Sequence, residues 1–319
     1  MYFINLAQRL TEIYIRLHPL THLNFQVNLA IGITGPFEQR SSFAGSSLIY
    51  GEERQLRRER GNVLSFERLK TALVTGAARR IGASICQDLA RNGFAVAIHA
   101  NGSIEDAEKL AADLRQEGHA AAAIRADLAE TAEASTLVKK AAEALGRPVG
   151  LLVNNASVFR NDSGQQFDPE TFDTHFAIHV RAPSILSAAF FRQLPAEAEG
   201  LIVNIIDQRV WALNPRFHSY TLSKAALWTA TQTLAQSFAP RVRVNAIGPG
   251  PTFKSERQDG DAFKRQTEGL LLKRGPEPQE FGRTIRFLFD TPSITGQMIA
   301  LDGGQHLAWE TPDVAEIME

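Results

Sequence analysis

The chain has 319 residues, 44% of them hydrophobic and 22% charged, with a formal net charge of −1. That is the balance of a soluble globular chain long enough for a large core, and it argues against a nucleic-acid or membrane surface as the main partner. The single cysteine, Cys86, excludes a disulfide within the chain and points to a reducing, cytoplasmic setting.

The first 60 or so residues differ from the rest. No apolar run in the chain approaches the roughly 20 residues of a membrane helix. The opening MYFINLAQRL lacks the basic-then-apolar order of a secretory signal. Residues 1–34 show no sustained period, GPFEQRSSFAGSS reads as loop, and the charged run GEERQLRRER at 51–60 resembles a solvated linker. Residues 1–62 are read as an N-terminal extension, either flexible or the product of a start assigned upstream of one near Val63. Both alternatives stay open. Residues 63–319 are read as one domain.

From Lys70 the pattern becomes regular. TALVT (71–75), FAVAIHA (94–100), AAAIRADL (121–128), VGLLVNNAS (149–157), GLIVNIID (200–207), RVRVNAIGPG (241–250) and GQMIALDGG (296–304) read as strands. Between them lie helical stretches at 83–93, 104–118, 131–146, 169–194, 218–238 and near 277–290. The fourth of these is long and is expected to bend near Pro183. Cys86, inside ASICQDLA, is expected to be a small buried packing residue. Alternating strands and helices, with strands apolar on both faces, predict an α/β fold: a doubly wound parallel sheet of about seven strands covered on both sides.

Gly76 ends the first strand and Gly82 lies at the start of the following helix, so backbone N–H groups at a helix N-terminus face any ligand there. Gly76 allows the tight turn, and Gly82 allows close packing of helix on strand. The familiar dinucleotide pattern has a further glycine where this chain has Arg80, so Arg79 and Arg80 put two guanidinium groups at the phosphate site. The second strand runs into His99, Asn101 and Ser103, with no acid before Glu105. An NAD enzyme commonly places a carboxylate there to hold the ribose 2′-hydroxyl. Its absence, together with Arg79, favours NADP(H).

Tyr220 and Lys224 stand four apart in HSYTLSKAALWTATQTLAQSF and share a helix face. A nearby ammonium favours phenolate, so Lys224 is expected to pull the Tyr220 pKa below its usual value of about 10 and make it a proton donor near neutral pH. Such a pair is common in helices, and its setting gives it weight. Asp207, 13 residues before Tyr220, ends an apolar strand, where parallel-sheet enzymes present reacting groups. His175 and His179 have the helical spacing of two metal ligands, but there is no obvious third ligand. No metal is expected.

Taken in order, TGAARRIG, Asp127-Leu128, NNAS (154–157), Tyr220-x-x-x-Lys224, Gly248-Pro249-Gly250 and the closing LDGG resemble the short-chain dehydrogenase/reductase family across residues 70–304. The resemblance implies that Ile81 belongs to the phosphate turn and that Asp127 and Leu128 border the adenine. It also implies that Asn155, Ala156, Ser157, Pro249 and Gly250 line the cofactor cleft and that Lys224 binds the nicotinamide ribose. Three departures stand out: Asp207 replaces the usual serine, Arg80 replaces a glycine, and Phe159 follows NNAS closely. Together they look like the pteridine reductase branch, which includes dihydromonapterin and dihydrofolate reductases. There Arg80 would contact phosphate and pterin, Phe159 would stack on the pterin near Ser157, and Asp207 would work with Tyr220. Thr252 falls where that branch places a hydroxyl near the cofactor, Gly102 where some members have an arginine, and His179 where many family members keep an asparagine.

The expected activity is NADPH-dependent reduction of a dihydropterin, with hydride to C6 and a proton to N5 from Tyr220 or from water held by Asp207 and Tyr220. A homotetramer or homodimer is implied by the family. An NADPH-dependent carbonyl or 3-oxoacyl reductase of the same family is the nearer rival, and a non-catalytic NADP(H) sensor the remoter one.

Overall fold

The structure, a computed structural model, describes residues 67–254 and 260–309. The expected N-terminal extension and its boundary at Val63 lie outside the described residues. Eight strands run β1 (Glu67–Arg68), β2 (Thr71–Val74), β3 (Ala95–Ala100), β4 (Ala121–Arg125), β5 (Leu151–Asn154), β6 (Ala198–Ile205), β7 (Val242–Pro249) and β8 (Met298–Leu301). Seven of them form one parallel sheet in the order β4-β3-β2-β5-β6-β7-β8. The two-residue β1 pairs with the start of β6, at Ala198 and Glu199.

Eight helices connect them: α1 (Arg80–Arg91), α2 (Ile104–Gln116), α3 (Thr131–Leu145), α4 (Pro169–Phe176), α5 (Ala182–Gln193), α6 (His218–Phe238), α7 (Gly260–Glu268) and α8 (Pro278–Asp290). Successive strand residues point to opposite faces, so the apolar strands feed two cores. Val74, Val96, Ile98, Val153 and Val203 pack with Ile85, Leu89, Leu110, Phe281 and Ile285 on the side of α1, α2 and α8. Leu73, Ala97, Leu152, Ile202 and Val244 pack with Leu137, Leu186 and Phe190 on the side of α3 and α5. Cys86 is fully buried in the first core, and burial pushes its thiol pKa up.

The expected long helix at 169–194 is divided. After α4 comes one wide turn, Ala177–Arg181, whose following residue Ala182 donates its N–H to the Ala177 carbonyl, before α5 resumes. Pro183, just inside α5, has no N–H to donate to the turn before it, and the extra residue absorbs that mismatch. The irregular turn therefore lies just ahead of the proline.

From β2 the chain winds outward through β3 and β4, then returns to the other side of β2 to lay down β5. Loops leaving β2 and β5 part at this switch point, which opens a crevice at the carboxyl ends of the strands. Gly76, Asn155, Asp207 and Pro249 all stand at those ends.

Candidate active site

The turn from β2 to α1 is built by close contacts. Gly76 has φ +60°, and a Cβ there would lie 2.7 Å from the Ala156 Cα. A Cβ on Gly82 would meet the Gly76 carbonyl oxygen at 2.6 Å, so α1 can approach the strand only with glycine at that position. Arg80 keeps a left-handed φ of +54° where the dinucleotide pattern has glycine, at a cost of about 1–2 kcal/mol for a residue with a Cβ. Its side chain crosses to the loop after β7, with Nη2 3.5 Å from the Phe253 carbonyl and the guanidinium 5.4 Å from that ring centre. Among the described residues no side chain caps α1, and no acid stands in its first turn. Its leading N–H groups therefore suit an anion such as a dinucleotide phosphate.

His99 braces this turn from behind. It is buried, its Nδ1 accepts the Gly76 N–H at 3.0 Å, and its Nε2 lies 3.0 Å from the Ala126 carbonyl. That pattern assigns the proton to Nε2, and burial, which lowers the ring's pKa, keeps it neutral. The ring therefore positions the loop and has no free nitrogen to offer a ligand. Asn155 stitches the loop after β5 to the same turn, donating from Nδ2 to the Thr75 and Gly76 carbonyls at 2.8 and 2.9 Å. The N–H groups of Asn155 and Ala156 both reach Thr75 Oγ1, at 2.9 and 3.0 Å.

Past β3, Arg79 forms an exposed ion pair with Asp106 in the first turn of α2, at 2.5 Å. Asn101 is exposed and Ser103 precedes α2, while open space surrounds Gly102. Asp127 accepts the Ala129 N–H at 2.9 Å, and Leu128 is buried. Gly250 packs against Asp302 so closely that a Cβ would lie 2.6 Å from the Asp302 Cα. Thr252 donates its hydroxyl to the Gly250 carbonyl at 3.1 Å.

The candidate catalytic groups meet where β6 ends. Asp207 Oδ1 accepts the Arg209 N–H at 2.8 Å, which leaves Oδ2 to accept the Tyr220 hydroxyl at 3.0 Å. Lys224, one turn further along α6, donates from Nζ to the Ile205 carbonyl at 2.8 Å. The expected lowering of the Tyr220 pKa is not what this geometry gives. Burial raises it well above the usual value, and the Asp207 carboxylate adds to that by charge and by hydrogen bond. The Lys224 ammonium is aimed at a carbonyl and lies 5.7 Å from the tyrosine ring centre. Burial brings Lys224 itself down to about 8, with the Asp207 charge opposing.

His179 occupies the middle of the wide turn, buried behind Tyr220 with ring centres 5.4 Å apart. Its Nε2 accepts the Val158 N–H at 3.2 Å and lies 2.9 Å from Ser157 Oγ. Nδ1 therefore carries the proton towards Ser223 Oγ at 2.8 Å, and Ser223 donates to the Tyr220 carbonyl at 2.8 Å. His175 lies beside it, 5.5 Å between ring centres, with Nε2 accepting the Arg160 N–H at 3.2 Å. Among the described residues no three His, Cys, Asp or Glu side chains gather as a metal site.

Above Tyr220 stands a set of rings. Phe159, 44% exposed, stacks on Phe217 at 4.3 Å and meets the Tyr220 ring edge-on at 4.7 Å. A flat ring partly open to solvent beside the Tyr220 phenol has the shape and chemistry to stack on a planar ligand.

A model of the short chain dehydrogenase family matches residues 70–261. The chain belongs to the short-chain dehydrogenase family. It is 32% identical over 246 residues to an uncharacterised oxidoreductase of Thermotoga maritima, covering 74% of this chain and 96% of that one. The 3-oxoacyl-(acyl-carrier-protein) reductase FabG of Staphylococcus epidermidis is 29% identical over 243 residues, 75% of this chain and 99% of its own. Among solved structures, FolM alternative dihydrofolate reductase 1 from Brucella canis, complexed with NADP, is 55% identical. It covers 76% of this chain and 96% of its own, with a TM-score of 0.74. The FolM protein of Brucella suis, also in complex with NADP, matches at 55% identity, 76% of this chain and 98% of its own, with the same TM-score of 0.74.

Within this dehydrogenase, the structure brings Asp207, Tyr220, Lys224, Ser157 and Phe159 together, whereas Arg79, Asn101 and Ser103 stand apart from them at the β3 end. Three contributors were absent from the sequence reading. Phe217 gives no signal because its ring depends on a left-handed backbone, φ +57°, just before α6. Asp162 lies in a loop without period, yet it caps α6 by accepting the Ser219 N–H at 3.0 Å and the Ser219 hydroxyl. Arg209 reads as one more loop cation after a strand.

Proposed function

We propose that this short-chain dehydrogenase is an NADPH-dependent reductase of a dihydropterin-type substrate, acting in the cytoplasm as a homodimer or homotetramer. The observation that carries the reading is the Asp207–Tyr220 hydrogen bond beneath the half-open Phe159 ring. The 55% identity to the FolM reductases supports it. The uncapped α1 N-terminus and the nearby Arg79 suit NADP(H), the nucleotide held by those relatives.

NADPH supplies a hydride, for which C6 of the substrate imine is the acceptor. N5 must then gain a proton. Asp207 and Tyr220 hold one proton between oxygens 3.0 Å apart, and they can pass it on directly or through a water. A serine at residue 207 could donate a hydrogen bond to a ketone oxygen, whereas a carboxylate only accepts. It suits the amino and N–H edge of a pterin. Lys224 orients the nicotinamide ribose in this reading, and Phe159 offers its face to the heterocycle.

The test is NADPH oxidation measured side by side with dihydrobiopterin, dihydromonapterin, dihydrofolate, a 3-oxoacyl thioester and a simple ketone. Reduction of a dihydropterin or dihydrofolate in clear preference to the carbonyl substrates is expected. Phe159→Ala should raise the KM for that substrate several-fold, the scale of roughly 0.5–1.5 kcal/mol of aromatic stacking, with little change in NADPH affinity. Preference for the thioester, as the FabG likeness would suggest, would replace the pterin reading with that of a carbonyl reductase.

A further inference from the structure

Arg209 lies two residues beyond Asp207, on the short turn Gln208–Val210, and its guanidinium is unusually placed. Its Nε and Nη1 are buried, and among the described residues neither has a hydrogen-bond partner. Burying charged N–H groups without an acceptor is unfavourable unless something else compensates. The rings around it do so here. The guanidinium carbon lies 5.1 Å from the Phe217 ring centre, 5.8 Å from Phe159 and 5.7 Å from Tyr220, within cation–π reach of all three. The Arg209 backbone N–H also donates to Asp207 Oδ1 at 2.8 Å, which keeps the residue next to the carboxylate that accepts the Tyr220 hydroxyl.

The charges facing Tyr220 come from every element around it. Asp207 and Arg209 approach from the turn after β6, Lys224 from α6 itself, His175 from α4 and His179 from the wide turn. Burial lowers the pKa of both histidines and so favours their neutral rings. Lys224 is directed at the Ile205 carbonyl and keeps its charge only below about 8. Arginine does not lose its proton at any working pH. The carboxylate raises the Tyr220 pKa and Arg209 opposes it.

We propose that Arg209 is a positioning residue that balances the charge of Asp207, and that this balance is what allows a carboxylate to stand beside Tyr220 where the family usually has serine. The proposal deepens the reductase reading of the same site and rests on it. Because Arg209 acts through a neighbour, its effect must depend on that neighbour.

The experiment is a double-mutant cycle of Arg209→Met and Asp207→Asn, with Arg209→Lys as the conservative variant. Each protein is assayed with NADPH and the substrate that the wild type turns over best. Arg209→Met is expected to lower kcat about tenfold or more, with a smaller change in KM and with NADPH affinity retained. Arg209→Lys should keep most of the activity. In the Asp207→Asn background, where there is no charge to balance, Arg209→Met should cost less than about threefold. An equal loss in both backgrounds, or no rescue by lysine, would overturn the proposal and leave Arg209 as a brace for the rings. If Arg209→Met does not fold, Arg209→Gln and Arg209→Lys in the two backgrounds decide the same question. Should the wild type prefer a ketone, the pterin reading falls, yet the same cycle run with that ketone still tests Arg209.

Discussion

Lys224 carries a charge that the fold burdens. It is 2% exposed, and burial moves its pKa from 10.5 to about 8. Between those two values the unfolded chain binds the proton and the folded chain does not, so this group makes stability rise with pH from about 8 to about 10.5. Below about 8 both states are protonated, and the buried ammonium destabilises the fold by an amount on the order of 3 kcal/mol. Lys224→Met should therefore gain relative to wild type at pH 7, set against a constant loss for the orphaned Ile205 carbonyl. Urea unfolding of both proteins without nucleotide, at pH 7, 9 and 10.5, should show the difference moving towards wild type by a few kcal/mol as pH rises. A pH-independent difference would mean that Lys224 is not strained in the free protein. The same residue shows what spacing conveys and what it omits. Four residues put Lys224 on the Tyr220 face, as expected, but spacing could not say that the ammonium points to a carbonyl while Asp207 takes the phenol.

At the scale of elements, strands and their helices were legible because apolar runs and period survive in the sequence. What failed were the places where backbone shape is set by one residue or by a distant partner. A bend was expected near Pro183, and the wide turn at Ala177–Arg181 ends just before it, but the sequence period does not reveal that form of irregularity. α7 has no buried residue, so it carries no apolar stripe to reveal it. The start of α6 depends on Asp162, more than 50 residues earlier, which accepts the Phe217 N–H on its backbone carbonyl at 2.9 Å and Ser219 on its side chain. The bridge between Ser163 and Arg216 joins the same segments. One loop therefore carries Phe159 and also caps the helix that carries Tyr220. Asp162→Ala should lower stability by about 2 kcal/mol, the upper range for a lost cap, because the site is buried. It should also raise the substrate KM, since the ring platform loses its anchor. Asp162→Asn keeps an acceptor and should lose less of both. Denaturant midpoints together with KM values check this, and a stability loss with no KM change would separate the cap from the platform.

Across the whole molecule, the alternation of strands and helices was enough to read the doubly wound sheet, and the switch point between β2 and β5 places the crevice. The strand at the domain's edge in sequence was not read. Glu67–Arg68 is too short for any periodic signal, and it is defined by pairing with residues 198 and 199 far along the chain. Arg68 adds an ion pair to Glu199 at 2.5 Å and reaches the Phe289 carbonyl at 3.4 Å, which ties β1 to the end of α8. This bears on the boundary proposed at Val63. A chain beginning there keeps β1 and the contacts described for it, so it should fold, bind NADPH with wild-type affinity and retain activity. A chain beginning at Leu69 lacks β1 and exposes the start of β6. It should unfold at lower denaturant, by about 1–2 kcal/mol for the lost strand hydrogen bonds and a half-exposed ion pair, while still binding NADPH, whose turn lies at the other end of β2. Circular dichroism, urea midpoints and nucleotide titration of the two truncations read these outcomes. Loss of the fold in the chain starting at Val63 would move the boundary upstream, whereas equal stability of the two truncations would show that β1 contributes nothing to the sheet.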